Sequence, residues 1–197
     1  AVLSLAAASG TDLGKTSDIV TDALTAFGIE AKGAGKFADL LASASSNSNT
    51  NVEILGESFK YVAPLMGAMG VSTDDTALAL GLMANAGIKG SQAGTQLRTM
   101  MTSLISPTKE QAEVMEDYGI ALVTNADGTV NLEATMGVLR STIGDLDETT
   151  QGQVASTLFG ARAMTGALSI VNATEESYSK LTEATSNYNG AAKDMAD

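Results

Sequence analysis

A long stretch with almost no charge limits what this chain can fold into. Between residues 61 and 108 the only charged side chains are Asp74, Asp75, Lys89 and Arg98. Inside this stretch, the segment TALALGLMANA at 76–86 has no polar side. A helix that is apolar all round has to be buried. The segment is therefore expected either at the centre of a core or against an apolar partner.

Helical periodicity surrounds this segment on both sides. Apolar residues recur at spacings of three and four before it, which places them on one helix face: Val52, Leu55, Phe59, Val62, Met66 and Met69. Pro64 removes one hydrogen-bond donor there, so a kink or a helix end is expected near residues 61–63 unless neighbours hold the helix. Residues 73–105 are then expected to form an apolar helical hairpin at the centre of the fold.

The composition favours a mainly α fold. Aromatic residues make up only 4% of the chain and Trp is absent, so the core must be built from Ala, Leu, Val, Ile and nine Met. Twenty Gly are spread at intervals and only two Pro occur, which suits many helices that end at glycine caps. The predicted fold is a compact helical module over 1–171, followed by a more exposed and polar helical extension over 172–197.

One segment breaks the helical pattern. GIALVTNADGTVNL at 119–132 alternates apolar and polar residues around NADG, a strong signal for two strands joined by a tight turn. The sequence predicts a small β-hairpin at 120–131. In the polar extension, Tyr178, Leu181, Tyr188 and Met195 form a thin heptad-like seam that is expected to need a partner, such as a second copy of the chain.

The charge and the missing residue types exclude several functions. Eleven basic and 23 acidic residues give a formal net charge of −12, which repels a phosphate backbone and argues against stable nucleic-acid binding. The chain has no Cys and no His. Disulfides, thiolate metal sites and Ser-His-Asp triads are thereby excluded, and no cofactor is expected.

The sequence predicts no conventional membrane-spanning segment. Its longest uncharged runs, which include 61–73 and 76–88, are shorter than the roughly 20 residues that a spanning helix needs. The opening AVLSLAAASG has no initiator Met and no basic leader. It is interpreted as the tail of a helix cut from a longer chain.

The segment GIKGSQAG at 87–94 invites comparison with a phosphate-binding loop. A Walker loop requires G-K-[ST] after a strand, whereas Lys89 here precedes Gly90 and a predicted helix comes before both. The segment is better explained as a joint in which Gly87 caps one helix, Gly90 starts the next and Gly94 lets two backbones approach. We expect Gly87, Gly90, Gly94 and Pro64 to serve as hinge or packing positions.

Two acidic clusters could in principle perform acid–base chemistry or bind a hard cation. They are Asp74/Asp75 and Asp145/Asp147/Glu148. Neither has the spacing of a calcium loop, and both precede predicted helices, where carboxylates cap N-termini and interact favourably with the helix dipole. We therefore interpret them as caps and predict no catalytic or metal-binding residue.

The sequence resembles the phage tail tape measure proteins. The resemblance is carried by residues 47–101, NSNTNVEILGESFKYVAPLMGAMGVSTDDTALALGLMANAGIKGSQAGTQLRTMM, and extends upstream over 9–42 and more loosely over VASTLFGARAMTGALSIV at 154–171. It implies a non-enzymatic structural virion protein. Such proteins lie in the tail lumen, set tail length during assembly in the host cytoplasm, and leave before DNA passes.

The resemblance also implies the partners. They are other copies of the chain, with a trimer as one arrangement, and tail tube, tail tip or baseplate, or tail chaperone proteins, while membrane contact is confined to infection. Lys89 and Arg98 are candidate partner contacts. Because Gly or Pro interrupts this segment every 10–20 residues, it is predicted to be a folded module and not the measuring rod. Two alternatives stay open: a cell-wall-degrading domain that uses Asp and Glu, and a membrane-active helical hairpin.

Overall fold

The computed structural model describes all 197 residues, which form eleven α-helices and no β-strand. A single 3-10 turn at Ala31–Gly33 leads into the third helix. The helices are α1 (Val2–Ser9), α2 (Leu13–Phe27), α3 (Ala34–Ser46), α4 (Val52–Ala68), α5 (Thr73–Asn85), α6 (Gly90–Ile105), α7 (Lys109–Tyr118), α8 (Leu132–Ile143), α9 (Glu148–Val171), α10 (Glu175–Ser186) and α11 (Ala191–Asp194). The prediction of a mainly α fold is confirmed.

The helices begin and end where the sequence supplies capping residues. Thr108 and Gln111 form a capping box, in which the Thr108 hydroxyl accepts from the Gln111 N–H at 3.3 Å and the Gln111 side chain accepts from the Thr108 N–H at 2.8 Å. Gly28 ends α2 with a φ of 64°, a conformation that glycine adopts without steric cost. Local sequence thus fixes these helix boundaries.

Helix α5 lies at the centre of the fold, as its apolar sequence predicts. Every residue from Thr76 to Ala84 is buried. The helix belongs to one hydrophobic cluster of 45 buried residues that extends from Leu5 to Ala192. This cluster draws on almost the whole chain, so α5 is surrounded by α3, α4, α6, α8, α9 and α10.

Helices α5 and α6 are consecutive, but they are not each other's main partners. Helix α6 packs chiefly between α4 and α9, and α5 makes its most extensive contact with α10. Helix α4 meets α6 at Ser58 and Tyr61, which lie against Gly94, while Phe59 contacts Phe37 of α3 edge to face at a centroid distance of 5.2 Å. Residues 73–105 therefore form two consecutive helices, each of which packs mainly against helices outside the hairpin.

Helix α4 does not end at its proline. It runs without interruption from Val52 to Ala68 and includes Pro64, so no helix end lies at residues 61–63 and the expected exception, a helix held by its neighbours, applies. Pro64 cannot donate to the carbonyl oxygen of Lys60, but Pro64 is on the exposed side of the helix. Water can solvate the freed carbonyl there, and the buried face of α4 holds the helix against α2 and α6.

The β-hairpin predicted at 120–131 is wrong. The NADG turn does form, and the chain reverses there, but the pairing is limited to one isolated bridge between Thr124 and Val130. Two backbone hydrogen bonds flank this bridge, from the Asn125 N–H to the Thr129 carbonyl at 2.8 Å and from the Asn131 N–H to the Val123 carbonyl at 2.9 Å. The segment is a tight loop without strands.

The antiparallel pairing stops after one bridge because the other backbone N–H groups of the segment donate to other acceptors. An antiparallel pair normally exchanges two hydrogen bonds, yet the Thr129 N–H donates to the Asp127 carboxylate at 3.0 Å and the Val123 N–H donates to the Thr135 hydroxyl at 3.0 Å. The Val130 N–H donates to the Met69 carbonyl, which ties the loop to the end of α4. These competing acceptors explain why the alternating pattern does not produce strands.

The C-terminal segment packs onto the rest of the chain. Helix α10 contacts α5 and α3, and α11 contacts α3 and α1. In the predicted seam, Leu181 and Tyr188 are buried in the common core, and Tyr178 and Met195 pack against it. The expectation that the seam needs a partner is thus wrong, because the protein's own helices cover it. The division at 171/172 stays a prediction.

Candidate functional site

The joint between α5 and α6 is closed by two glycines with positive φ. Gly87 has a φ of 86°, and its N–H donates to the Ala84 carbonyl at 3.0 Å. The N–H of Ile88 donates back to the Met83 carbonyl at 3.0 Å, which completes a Schellman-type helix end with Ile88 buried behind it. Gly90 has a φ of 59° and opens α6. The joint is therefore a tightly bonded turn with a helix, not a strand, before it.

Gly94 brings α6 against α4. A Cβ added at Gly94 would lie 2.2 Å from the Ser58 carbonyl oxygen and 2.8 Å from the Tyr61 Cβ, distances at which one backbone must move. The glycine thus sets the spacing between α6 and α4, and not the closure of the α5–α6 hairpin. Two further glycines of α4 act similarly toward α2: Gly56 faces Ile19, and Gly67 faces the Ala26 carbonyl.

Lys89 and Arg98 lie on the accessible side of α6. Lys89 is half-buried at the joint and Arg98 is exposed. The structure's four ion pairs involve neither side chain. The Lys89 ammonium and the Arg98 guanidinium are therefore free for a partner, and their role as partner contacts stays a prediction. The hinge or packing role of Gly87, Gly90, Gly94 and Pro64 also stays a prediction.

The Asp74/Asp75 pair holds other elements to the start of α5. The Ser72 hydroxyl caps the helix by accepting from the Asp75 N–H at 2.9 Å. The Asp75 carboxylate does not return to Ser72 but accepts from the backbone N–H of Glu133 at 3.0 Å, at the start of α8. The Asp74 carboxylate accepts from the hydroxyl of Tyr188. Both carboxylates thus join distant segments.

A second carboxylate fastens the C-terminal segment. Asp39 of α3 accepts from the backbone N–H groups of Gly190 and Ala192, each at 3.0 Å, and so caps the start of α11. Burial raises the pKa of Tyr188 above its ordinary value of 10.0, and its hydrogen bond to Asp74 and the nearby carboxylate charges raise it further. A neutral Tyr188 is therefore part of this attachment.

Asp147 caps α9 as the sequence predicts. Its carboxylate accepts from the backbone N–H groups of Thr149 and Thr150, both at 3.1 Å, and from the Thr150 hydroxyl at 2.6 Å. The hydroxyl and backbone donors of Thr150 lower the pKa of this carboxyl. The carboxylate is committed to the helix N-terminus, which disfavours a role as a general acid.

Arg140 joins three helices, and sequence reasoning missed it. Its Nη1 donates to the carbonyl oxygens of Ile170 at 3.0 Å and Ala173 at 2.8 Å, which lie at the C-terminal end of α9. Its Nη2 lies 3.4 Å from the Glu175 carboxylate, and its guanidinium stacks on the Tyr178 ring at 4.4 Å. A cation at a helix C-terminus interacts favourably with the free carbonyls. The only signal in the sequence is one basic residue in an otherwise uncharged helical stripe.

Helix α9 is broken at Gly160. Gly160 has φ 73° and ψ 163°, a region that is open essentially to glycine alone. The break removes the intrahelical donor for the Leu158 carbonyl, and the side chain of Gln111 supplies a replacement at 2.6 Å. Helix α7, which has no buried residue of its own, is attached to α9 in this way.

A surface groove of about 1060 Å³ lies between α2 and α4. Its floor is formed by small and apolar side chains, and its rim carries six charged residues: Lys15, Asp18, Asp22, Glu53, Glu57 and Lys60. All six side chains are exposed. Lys15 and Glu53 form an ion pair across one end of the groove. The groove holds no carboxyl group in an apolar setting.

The placement of the acidic side chains bears on metal binding, and the length of α9 bears on membrane insertion. No group of three or more Asp and Glu side chains is placed to hold a metal ion. One helix, α9, is long and apolar enough to cross a membrane by length and composition, but half of its apolar window is buried within the protein. Burial of that kind is typical of a core helix, and the break at Gly160 divides the segment into two shorter helices.

Similar proteins place this arrangement among phage tail components. The chain is 37% identical to the tape measure protein of Pneumococcus phage Dp-1 over 196 residues, which cover 100% of this chain and 17% of that protein. It is 22% identical to the probable tape measure protein of Escherichia phage P2 over 176 residues, which cover 87% of this chain and 21% of that protein. The chain therefore spans about a fifth of the length of these relatives.

No solved structure matches the chain. The family model described as phage-related minor tail protein matches residues 1–160, which include the joint at 87–94, the α4–α6 contact and the groove. The match covers most of the chain and agrees with both relatives. The chain belongs to the phage-related minor tail protein family.

Proposed function

We propose that this chain is a compact, non-enzymatic module of a phage tail tape measure protein, distinct from the part that measures tail length. The observation that carries the proposal is the single hydrophobic core, which begins at Leu5 and ends at Ala192. A segment that buries its two ends in one core cannot convert its residue number into axial length.

The difference in dimensions is large. A continuous α-helix advances 1.5 Å per residue, so 197 residues in one rod would span about 300 Å. A compact chain of the same length has a radius of gyration of about 16 Å. The longest helix here, α9, has 24 residues and is broken at Gly160. The folded module thus contributes bulk and contacts to the tail, while the rod lies in other parts of a longer protein.

An insertion experiment separates the module from the ruler. About 20 helix-forming residues are inserted between Ala126 and Asp127, at the exposed NADG turn, in a full-length tape measure protein carrying this segment. If the segment is a module, tail length in electron micrographs stays unchanged; if it is part of the rod, tails lengthen by about 30 Å. The same insertion in a long helical region of that protein is the control and should lengthen the tail.

The module is expected to act inside the virion tail after synthesis in the host cytoplasm. Its partners are proposed to be other copies of the chain, including a trimer, and tail tube, tail tip or baseplate, or tail chaperone proteins. The family match and the relatives named tape measure proteins support this placement. The free cations Lys89 and Arg98 are the proposed partner contacts on α6.

The geometry supports a structural role over hydrolysis of cell walls. A glycosidase needs two carboxyl groups across a cleft, one of them with a pKa raised by apolar surroundings. The carboxylates that line the groove are all exposed, and Asp74, Asp75 and Asp147 are engaged as caps or inter-helix acceptors. A turbidity assay on purified cell walls should show no clearing by the isolated chain.

A membrane-active role would require the core to open. More than half of residues 73–105 and half of the apolar window of α9 are buried within the folded protein. Membrane contact is therefore proposed only for a rearranged state during infection. Leakage from liposomes by the folded chain, at neutral or acid pH, would contradict this assignment.

A further inference from the structure

We propose that the groove between α2 and α4 is a docking site for a basic amphipathic helix of a partner protein. The two helices that form it run in the same direction, as three contacts along their length show. Lys15 pairs with Glu53 at one end, Ile19 lies over Gly56 in the middle, and Ala26 lies against Gly67 at the other end.

The groove has the length of a short helix. Its lining residues recur every three or four positions over 15–26 on α2 and over 53–64 on α4, so each wall presents one face of a helix. Twelve residues of α-helix cover about 16 Å, which corresponds to three turns. An occupant helix of three to four turns can lie along the groove and contact both walls, as in other helix-in-groove interfaces.

The floor permits a close approach. It includes Ala23 and Ala63, which are buried and have short side chains, and Gly56, which the Ile19 side chain covers. The half-buried side chain of Ile19 is the largest apolar group that the floor exposes. A shallow floor of small residues accepts the apolar stripe of an amphipathic helix but not a bulky aromatic anchor.

The rim selects a basic partner. Four carboxylates and two ammonium groups surround the groove. Lys15 pairs with Glu53, and the Glu57 carboxylate lies beside Gly90 at the start of α6, which leaves Asp18 and Asp22 to be matched against Lys60 alone. The Lys60 carbonyl oxygen is a further acceptor there, because Pro64 has no N–H to donate to it. Both residues line the groove. Lys or Arg side chains on the edges of an incoming helix would supply donors to these oxygens.

The same charges argue against a second copy of this chain as the occupant. The chain carries a formal net charge of −12, and like charges brought together disfavour association. Binding of a helix in the groove follows from the residues that line it and does not depend on whether the module acts in tail assembly.

The binding test uses the 197-residue chain and a fluorescently labelled synthetic peptide of about 16 residues. The peptide carries Leu and Ala on one helical face and Lys on both edges, and binding is followed by fluorescence anisotropy. A peptide of the same composition with scrambled order is the control for general attraction to an acidic protein. We expect saturable binding at one site per chain that weakens severalfold between about 0.05 M and 0.5 M salt, and much weaker binding of the scrambled peptide.

Three variants locate the binding site. Asp18→Lys with Asp22→Lys should weaken binding by about tenfold or more, while Glu110→Lys with Glu113→Lys, an equal charge change on α7, should leave it within about twofold. Thr25→Trp should block the groove without any change in charge. Circular dichroism confirms that each variant is folded.

Four results would overturn the proposal. They are no saturable binding, equal binding of the scrambled peptide, equal loss of affinity in the α2 and α7 charge variants, and unchanged binding by Thr25→Trp. The third would show that only net charge matters, and the fourth would place the peptide elsewhere on the surface. A tail-length result that contradicts the module would leave each of these outcomes unaffected.

Discussion

Replacement of Gly94 by Ala tests the contact that brings α6 against α4. The new Cβ would lie 2.2 Å from the Ser58 carbonyl oxygen, whereas ordinary contacts begin at 3.4 Å, so the two backbones must separate by about 1.2 Å. The obstacle is a backbone atom in a packed interface and cannot rotate away. Overpacking of this kind costs about 1–3 kcal/mol or more, and the gain in helix propensity returns about 1 kcal/mol.

We expect Gly94→Ala to lower the free energy of unfolding by about 2 kcal/mol. At roughly 2–4 °C per kcal/mol for a chain of this size, the midpoint of thermal unfolding should fall by about 4–8 °C. Urea denaturation followed by far-ultraviolet circular dichroism measures the change directly. Gly94→Val, with a larger branched side chain, should be more destabilising still.

Gly137→Ala is the matched control. Gly137 is an exposed glycine within α8, and a Cβ there meets nothing within 4 Å. This substitution should raise the free energy of unfolding by up to about 1 kcal/mol. Opposite signs for the two Gly→Ala changes are the expected result. If Gly94→Ala is as stable as the unchanged protein, the close α4–α6 contact does not exist.

Two further substitutions test the residues that join distant segments. Arg140→Met should lower the free energy of unfolding by about 2–3 kcal/mol, because the free carbonyls at the end of α9 lose a charged donor. Arg162→Met, on the exposed side of α9, should change it by less than about 0.5 kcal/mol. Equal effects of the two substitutions in urea unfolding would refute the role of Arg140. The raised pKa of Tyr188 means that the folded protein holds the phenol proton more tightly than the unfolded chain does. The contribution of the neutral phenol to the free energy of unfolding is therefore complete below about pH 10 and is lost as pH rises. Tyr188→Phe should flatten this alkaline loss of stability and Tyr61→Phe should not, as followed by pH-dependent urea unfolding.

Local sequence was enough to predict the helices and many of their ends. Asp147 caps the start of α9 as expected, because an N-cap depends only on residues two or three positions apart. The apolar pattern of 76–86 predicted the central position of α5 for a similar reason. A helix with no polar face has only one stable environment.

The sequence could not predict which distant groups compete for a backbone donor. The alternation at 120–131 favours strands, but the Thr135 hydroxyl takes the Val123 N–H and the Asp127 carboxylate takes the Thr129 N–H. Tertiary context of this kind commonly overrides β-propensity. The same limit applies to Gly94, because spacing alone could not show that α4 is the helix packed against it.

The candidate site was predicted least well where it depends on the fold. Arg140 acts on carbonyl groups about 30 positions away in the chain, and no local pattern marks such a contact. The groove between α2 and α4 likewise exists only because these helices lie side by side. Its rim residues looked like ordinary solvent-exposed charges in the sequence.

Small-angle X-ray scattering of the 197-residue chain in solution tests the central claim most directly, because a folded module and a measuring rod differ greatly in size. The structure predicts a radius of gyration of about 16 Å with the scattering profile of a compact particle. A single helical rod of about 300 Å would give roughly 85 Å, the length divided by the square root of 12. A value near 16 Å at several protein concentrations supports the module, and a rod-like profile would contradict it.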